Sequence, residues 1–480
     1  MRLGDLLIRA KRVTKADVEH ALDRINEHGG RLGDNLVALG AIDEPTLESY
    51  LRRIPPEPEN IRATGVDETD LIALLMKLIY SARLQSVRQF MEAIKLPYHI
   101  VSELVRMAVD RQFLHTLGTR QSDNPIDLSY AFTEEGRRWT IDAIERLSYY
   151  GPAPIPIAEF SEQVNRQKLT SEIVTMSRMR TAVADLEMED NILEQVGPAL
   201  NSGRAILLYG PPGNGKTTVA LRLASVFHDV IYIPYAIEVE GQIIRVFDPS
   251  IHNEVTNALP GDEVTFVRQD EYDQRWVPCR RPFVVTGGEL TLEMLDLRYD
   301  LSGHFYEAPL HVKALGGCFL IDDFGRQLVS PSNLLNRWIV PLESRVDFLK
   351  LHTGKTFSIP FEEMVIFSTN LEPEQLMDPA FLRRLPYKIE VGSPTLERYH
   401  RIFLHECRRH AMDLPDDLFA LIVHKLRNEK ALDFAAYQPR FIVEQVVATC
   451  RFLGEPPHFE MRFIDYALDN LRVKHAPGTH

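Results

Sequence analysis

A chain of 480 residues with 45% hydrophobic and 25% charged side chains is too long for one core and too apolar for a disordered polymer, which predicts three or four globular units. Its formal net charge of -14 opposes non-specific attraction to nucleic acid over the chain as a whole. Cys279, Cys318, Cys407 and Cys450 lie far apart without C-x-x-C spacing, and no run reaches the roughly 18 apolar residues that span a bilayer, so core thiols and a cytoplasmic protein without a transmembrane segment are expected.

The chain opens on an internal repeat. Arg2, Leu3, Gly4 and Asp5 recur as Arg31, Leu32, Gly33 and Asp34, 29 residues later, and the apolar positions Val13, Val18, Leu22 and Ile25 recur as Ile42, Leu47, Leu51 and Ile54. Steps of three or four among them predict two small helical units packed together over residues 1–54, hinged at Gly29 and Gly30. Two proline-rich stretches, 55–59 and 151–156, cannot continue a helix or a central strand and read as linkers. Between them, residues 67–150 carry apolar helices over 71–82, 87–94 and 97–113, then strand-like runs at 113–116 and 128–133 and a capped helix start at Thr133.

From about residue 160 the pattern alternates strands with helices. Continuous apolar runs at 205–209, 230–234, 318–322, 364–368 and 388–391 predict buried parallel strands of an α/β domain over 160–393, and a helical lid over 394–475 follows. The run Gly210, Pro211, Pro212, Gly213, Asn214, Gly215, Lys216, Thr217 follows a strand and opens a helix at Thr218, which is the context a phosphate loop requires. Its glycines let backbone N–H groups close on phosphates, Lys216 reaches the β and γ phosphates, and Thr217 offers a hydroxyl to Mg²⁺. Cys318-Phe-Leu-Ile delivers Asp322 and Asp323 at a strand end, where Asp322 suits Mg²⁺.

Together with Asn370 after the next strand, the arginine pair Arg383 and Arg384, and Arg440 at a lid helix start, these motifs resemble one ATPase module of the AAA+ type over residues 165–475. The resemblance implies a multidomain α/β fold, ATP as substrate, and Asn370 as the residue holding the attacking water. It also implies Arg440 as a second sensor of the nucleotide and Arg383 or Arg384 reaching a neighbouring subunit's ATP, hence a homo-oligomeric ring such as a hexamer. Asp323 stands where that family usually carries glutamate to polarise the water. One methylene less, about 1.5 Å of reach, predicts a displaced water or a lower rate.

Segments 232–248, 287–299 and 320–326 resemble chaperone-like bacterial ATPases associated with Flp pilus assembly, in which the Ile-Asp-Asp-Phe-Gly-Arg run is a signature. The gap from Lys216 to Asp322 predicts extra elements between residues 236 and 313. Residues 1–54 resemble the cyclic di-GMP-binding domain found ahead of type II secretion and type IV pilus ATPases. That likeness implies a ligand site on Arg2, Leu3, Gly4, Arg31, Leu32, Gly33 and Asp34, with the glycines allowing close backbone approach to the ligand. Lys11, where the second repeat has Gly40, and apolar Ile25 and Ile54, where the family prefers glutamine, depart from that pattern.

Residues 67–150 resemble a winged helix. This offers an alternative function as a DNA-binding regulator, disfavoured because Glu103 and Asp110 accompany Arg106 and Arg111 on the presumed recognition helix. A secretion-type motor is disfavoured by the Asp322, Asp323, Arg383 and Arg384 constellation. An enhancer-binding activator would need a Gly-Ala-Phe-Thr-Gly-Ala loop that is missing here. The expected function is an ATP-hydrolysing remodeller or assembly chaperone gated by cyclic di-GMP, with a protein client.

Overall fold

The computed structural model describes residues 3–119, 128–255, 272–377 and 379–471. Arg2 lies outside them.

The repeat in the sequence is a repeat in space. Each copy is a short helix followed by a second one: Leu3–Arg9 with Lys15–His28, then Leu32–Ala38 with Glu44–Leu51. The second helices start at equivalent caps, Thr14 Oγ1 accepting from the Asp17 N–H at 3.2 Å and Asp43 Oδ1 from the Thr46 N–H at 2.9 Å. The intervening turns need left-handed backbone at equivalent positions, Lys11 at φ 55° and Gly40 at φ 69°, so the lysine takes up a conformation that suits glycine. Gly4 and Gly33 sit at close contacts between the helices of each repeat. A Cβ on Gly4 would lie 3.1 Å from Val18 Cγ1 and one on Gly33 2.8 Å from Leu47 Cδ2, so these glycines let the short helix of each repeat lie against its longer partner.

Residues 68–146 form helices Glu68–Ala82, Val87–Ile94 and Tyr98–Asp110, an antiparallel pair Leu114–Thr119 with Leu128–Phe132, and helix Glu134–Arg146. Their core holds Leu75, Phe90, Val101 and Leu104. Lys77 is buried there, its Nζ donating to the Leu147 carbonyl at 2.9 Å, and burial pushes its ammonium pKa down to about 8 from an ordinary 10.5. Between these two values the unfolded chain binds more protons at this lysine than the folded one, so its contribution to stability rises with pH across that window. The Lys77→Met variant is expected to be more stable at pH 7 and to lose that rise. Urea midpoints of both proteins at pH 7 and 10 check it through their difference, since the buried Cys279, Cys318 and Cys407 thiols, pushed up to about 12, act on both alike in the opposite direction, and an advantage of Lys77→Met that is the same at both pH values would contradict it.

The central sheet runs, in spatial order, Tyr387–Glu390, Ile206–Tyr209, Met364–Thr369, Cys318–Ile321 and Phe283–Thr286, all parallel. One expected strand is therefore reassigned: Val230–Pro234 is not in this sheet but pairs antiparallel with Trp276–Arg280. Its unbroken apolar run reflects burial on both faces, which a parallel sheet is only one way to achieve. The true fifth strand, Phe283–Thr286, sits at the sheet's edge with Val285 exposed.

Between the phosphate-loop helix and that edge strand the chain builds an insertion, and it returns there at residues 298–307. A second sheet orders Arg298–Asp300, Phe305–Glu307, Gln242–Arg245, Ala236–Val239 and Ile155–Pro156. Ile237, Ile244, Tyr232 and Trp276 share a core with Leu7, Leu36 and Tyr50 of the repeat, while Ala236 and Ile243 pack with the helices of residues 68–110. The insertion is thus a platform for both amino-terminal units.

The proline-rich stretches are consequently seams rather than linkers. Asp273 N–H donates to the Pro55 carbonyl at 3.0 Å, Arg275 Nη1 donates to the carbonyls of Thr64 (2.8 Å) and Pro154 (3.2 Å), and Ile155–Pro156 is itself a parallel strand. Proline lacks a donor, yet its carbonyl remains available to a partner. Beyond the sheet, helices Leu396–Arg409, Asp416–His424, Gln438–Leu453 and Met461–Asn470 enclose their own core around Phe403, Ile442 and Ile464, and this helical unit is called the lid below.

Candidate functional site

Strand Ile206–Tyr209 is buried and stops at Gly210, whose φ of 132° and contact with the Val391 carbonyl (2.7 Å from a would-be Cβ) admit only glycine. Gly213, at φ 78°, faces the lid, where a Cβ would lie 2.3 Å from the Tyr437 ring. Two hydrogen bonds seat the lid on the loop: Tyr437 N–H to the Gly213 carbonyl at 2.9 Å, and Ala436 N–H to the buried Asn214 Oδ1 at 3.1 Å. Helix Lys216–Ala224 then begins, directing its first turn at the cleft.

Lys216 is 6% exposed, and its Nζ donates to the carbonyls of Gly210 (2.8 Å) and Pro211 (2.9 Å) and to Asn370 Oδ1 (2.7 Å). Burial lowers its pKa, and the nearby Asp323 and Asp322 carboxylates oppose that shift. Thr217 Oγ1 donates to Asp322 Oδ2 at 2.8 Å, and Asn370 Nδ2 donates to Asp323 Oδ1 at 2.9 Å. Three neighbouring parallel strands therefore bring Lys216, Thr217, Asp322, Asp323 and Asn370 into one bonded group. The Thr217 hydroxyl and Asp322 carboxylate form an oxygen pair that fits a small hard cation whose other ligands come from phosphate and water.

These residues line a cleft of ≈ 780 Å³ between the sheet and the lid, together with Pro212, Gly213, Asn214, Gly215 and Thr218. Arg440 lines its lid side, exposed and paired through Nε with Glu444 Oε1 at 2.7 Å. Arg383 and Arg384 do not line it. Arg383 is exposed, and Arg384 Nε lies 3.0 Å from Glu343 Oε1. Leu3, Gly4, Arg31, Leu32, Gly33 and Asp34 also lie outside this cleft, in the repeat, where Arg31 and Asp34 are exposed.

Among the cleft residues that escaped sequence reasoning, two tie the lid to the rest of the site. Tyr437 immediately precedes the Gln438–Leu453 helix, and nothing local marks its packing on Gly213. Arg398, mostly buried, donates from Nε to the Glu187 carbonyl at 2.8 Å and ties the first lid helix to the segment ahead of the sheet. In sequence it is one arginine among several in that helix.

A phosphate loop on one parallel strand, an acidic strand end two places along the sheet and a helical lid over both define a P-loop nucleotide-binding module. In sequence the chain is similar to AAA+ ATPases. It is 25% identical over 206 residues to the proteasome-activating nucleotidase of Archaeoglobus fulgidus, covering 41% of this chain and 49% of that one. The Thermococcus kodakarensis protein of the same description is 25% identical over 207 residues, covering 40% and 50%. The chain thus spans about half the length of these curated relatives. A solved structure of NtrX from Brucella abortus in complex with ATP aligns at 14% identity with a TM-score of 0.38, covering 63% of this chain and 60% of that one. A family model described as a domain of unknown function, DUF8689, matches residues 395–470, which coincide with the lid.

Proposed function

We propose that the chain hydrolyses ATP and uses the energy to remodel or assemble a protein client, working as a ring. The observation that carries this reading is the bonded group of Lys216, Thr217, Asp322, Asp323 and Asn370 at adjoining strand ends. In it Lys216 binds the β and γ phosphates, with the loop from Gly210 to Thr218 around them. Thr217 and Asp322 hold Mg²⁺, which when bound offsets phosphate charge. Asn370 takes up one oxygen of Asp323 and leaves the other to accept a proton from the attacking water. The water's oxygen bonds to the γ phosphorus as the bond to the ADP oxygen breaks.

Arg440 reads the nucleotide from the lid, and Arg383 or Arg384, outside the subunit's own cleft, serves the next subunit. Gel filtration with and without ATP is expected to give a nucleotide-promoted oligomer. Mixing Lys216→Ala subunits with Arg383→Ala/Arg384→Ala subunits is expected to restore part of the activity each lacks alone. A monomer with full ATPase under both conditions would sink the ring.

The repeat supports a finer reading, a cyclic di-GMP sensor using Arg2, Leu3, Gly4, Arg31, Leu32, Gly33 and Asp34. Titration with cyclic di-GMP is expected to change the ATPase rate, and Arg31→Ala to lose binding with the basal rate intact. Absence of binding to the wild type discards the sensor. The sequence of segments 232–248, 287–299 and 320–326 supports a pilus or secretion assembly as the client and a cytoplasmic location, and no helix among the described residues is long and apolar enough to cross a membrane. The helical order of residues 68–146 supports a winged helix used for protein contact. DNA binding is disfavoured, since Arg106 lies 3.7 Å from Glu103 and Arg111 2.9 Å from Glu68, which leaves little free charge for phosphates.

A further inference from the structure

Asp322 and Asp323 do not continue their strand. The chain leaves Cys318–Ile321 through a tight turn in which Asp323 has φ 48° and Gly325 φ 104°, left-handed backbone that glycine and, among other residues, asparagine and aspartate adopt most readily. One side of the turn is fixed by backbone pairing to the neighbouring strand. Phe324 N–H donates to the Ser368 carbonyl at 2.7 Å, and Thr369 Oγ1 donates to the Phe324 carbonyl at 2.8 Å. On the other side the Asp322 N–H donates to the Thr286 carbonyl at 2.8 Å and the Leu328 N–H to that of Gly288 at 3.2 Å, and one side chain spans the turn between them. The Gln327 amide donates from Nε2 to the carbonyls of Asp322 (2.9 Å) and Asp323 (3.2 Å), and at 3.4 Å to that of Gly287 in the loop after the edge strand. Its Oε1 accepts the Gly325 N–H at 2.8 Å.

We propose that Gln327 is a positioning residue for hydrolysis, holding the Asp322–Asp323 turn so that both carboxylates face the phosphate loop. This rests on the ATPase reading of the cleft. Both ends of the amide are used, because the Asp322 carbonyl takes its donor from Nε2 while the Gly325 N–H takes its acceptor from Oε1; the Asp323 carbonyl is shared with the Arg326 N–H at 3.0 Å. Glutamate supplies only the acceptor and adds a negative charge beside two others. Methionine matches the length and supplies neither strong donor nor acceptor, and asparagine is one methylene short. Gln327 bonds to main chain alone, so its loss leaves Lys216, Thr217 and the cleft's lid side untouched. The expected injury falls on the transition state and not on nucleotide binding.

The test compares wild type, Gln327→Met and Gln327→Glu with Lys216→Ala as the control, measuring kcat and KM for ATP, ADP affinity and thermal midpoint. Gln327→Met is expected to lose about tenfold in kcat, the lower end of what outer-shell partners typically carry, with KM and ADP affinity within about twofold of wild type, and Gln327→Glu to lose more. An unchanged kcat in Gln327→Met overturns the proposal. So does a kcat loss matched by a fallen thermal midpoint and weakened ADP binding, which marks a merely structural residue. A wild type whose activity is absent or survives Lys216→Ala overturns the ATPase reading itself, and is told apart because it shows before any Gln327 variant is compared.

Discussion

Lys216→Ala is expected to reduce ATP hydrolysis by at least about a hundredfold and to weaken nucleotide binding, the largest effect any single replacement in the cleft should have. The three ammonium protons go to two loop carbonyls and to Asn370, which hold the group at the loop, and bound phosphates would take over one or more of those bonds. Its removal also releases Asn370 Oδ1, and with it the restraint on the side chain that bonds Asp323. Alanine should therefore harm both binding and the chemical step, whereas Asn370→Ala should harm mainly the second. Isothermal titration with ATP beside steady-state rates separates these effects. Tight ATP binding and near wild-type turnover by Lys216→Ala would contradict the site assignment.

Arg53→Ala is expected to destabilise the docking of the repeat by about 3–5 kcal/mol, the usual cost of leaving one member of a buried ion pair alone. Arg53 Nη1 lies 2.6 Å from Asp229 Oδ2, with side chains 6% and 1% exposed, and Tyr50 Oη donates to Asp229 Oδ1 at 2.7 Å. Arg53 also covers the Tyr50 ring at 4.6 Å, and burial beside Asp229 pushes the Tyr50 pKa up to about 12, keeping the hydroxyl a donor at all ordinary pH. Arg281, 3.9 Å from Asp229, only partly compensates for the lost partner. Urea unfolding followed by tryptophan fluorescence should show the shift. Replacing both partners with apolar residues, Arg53→Met with Asp229→Leu, should recover much of the loss. A change below about 1 kcal/mol, the scale of an exposed pair, would mean that water reaches this one.

How much of this was legible in the sequence follows from how far each feature depends on distant chain. The phosphate loop and the Asp322 strand end are local: a few adjacent residues determine both backbone course and chemistry, and each lies where it was expected. The repeat was legible too, down to the equivalence of Val18 with Leu47, because a periodic apolar pattern is also local. Phe283–Thr286 was missed since an edge strand of four residues, half facing solvent, leaves no long apolar run. Val230–Pro234 was read as a parallel strand for the opposite reason, its burial coming from a core it shares with the repeat and with Phe160 and Val164. Gln327 and Tyr437 act on main chain of remote or turned segments, and their side-chain types alone do not announce it. The proline-rich stretches misled because composition reports flexibility in isolation, while their carbonyls are claimed by Asp273 and Arg275 of the insertion.

That last feature bears on where the chain can be cut. A molecule shortened to begin near residue 160 would retain every residue of the nucleotide cleft, yet it would lose the Ile155–Pro156 edge of the second sheet and strip cover from Tyr232, Ile237 and Trp276. Two carboxylate-rich seams would open as well, leaving Asp229 without Arg53 and Arg275 without the carbonyls of Thr64 and Pro154. Such a fragment should be sticky and poorly soluble, and proteases should find no easy cleavage point at residues 55–59 or 151–156 in the intact protein. The half that holds the cleft is a module in sequence, but the amino-terminal third is part of its outer wall.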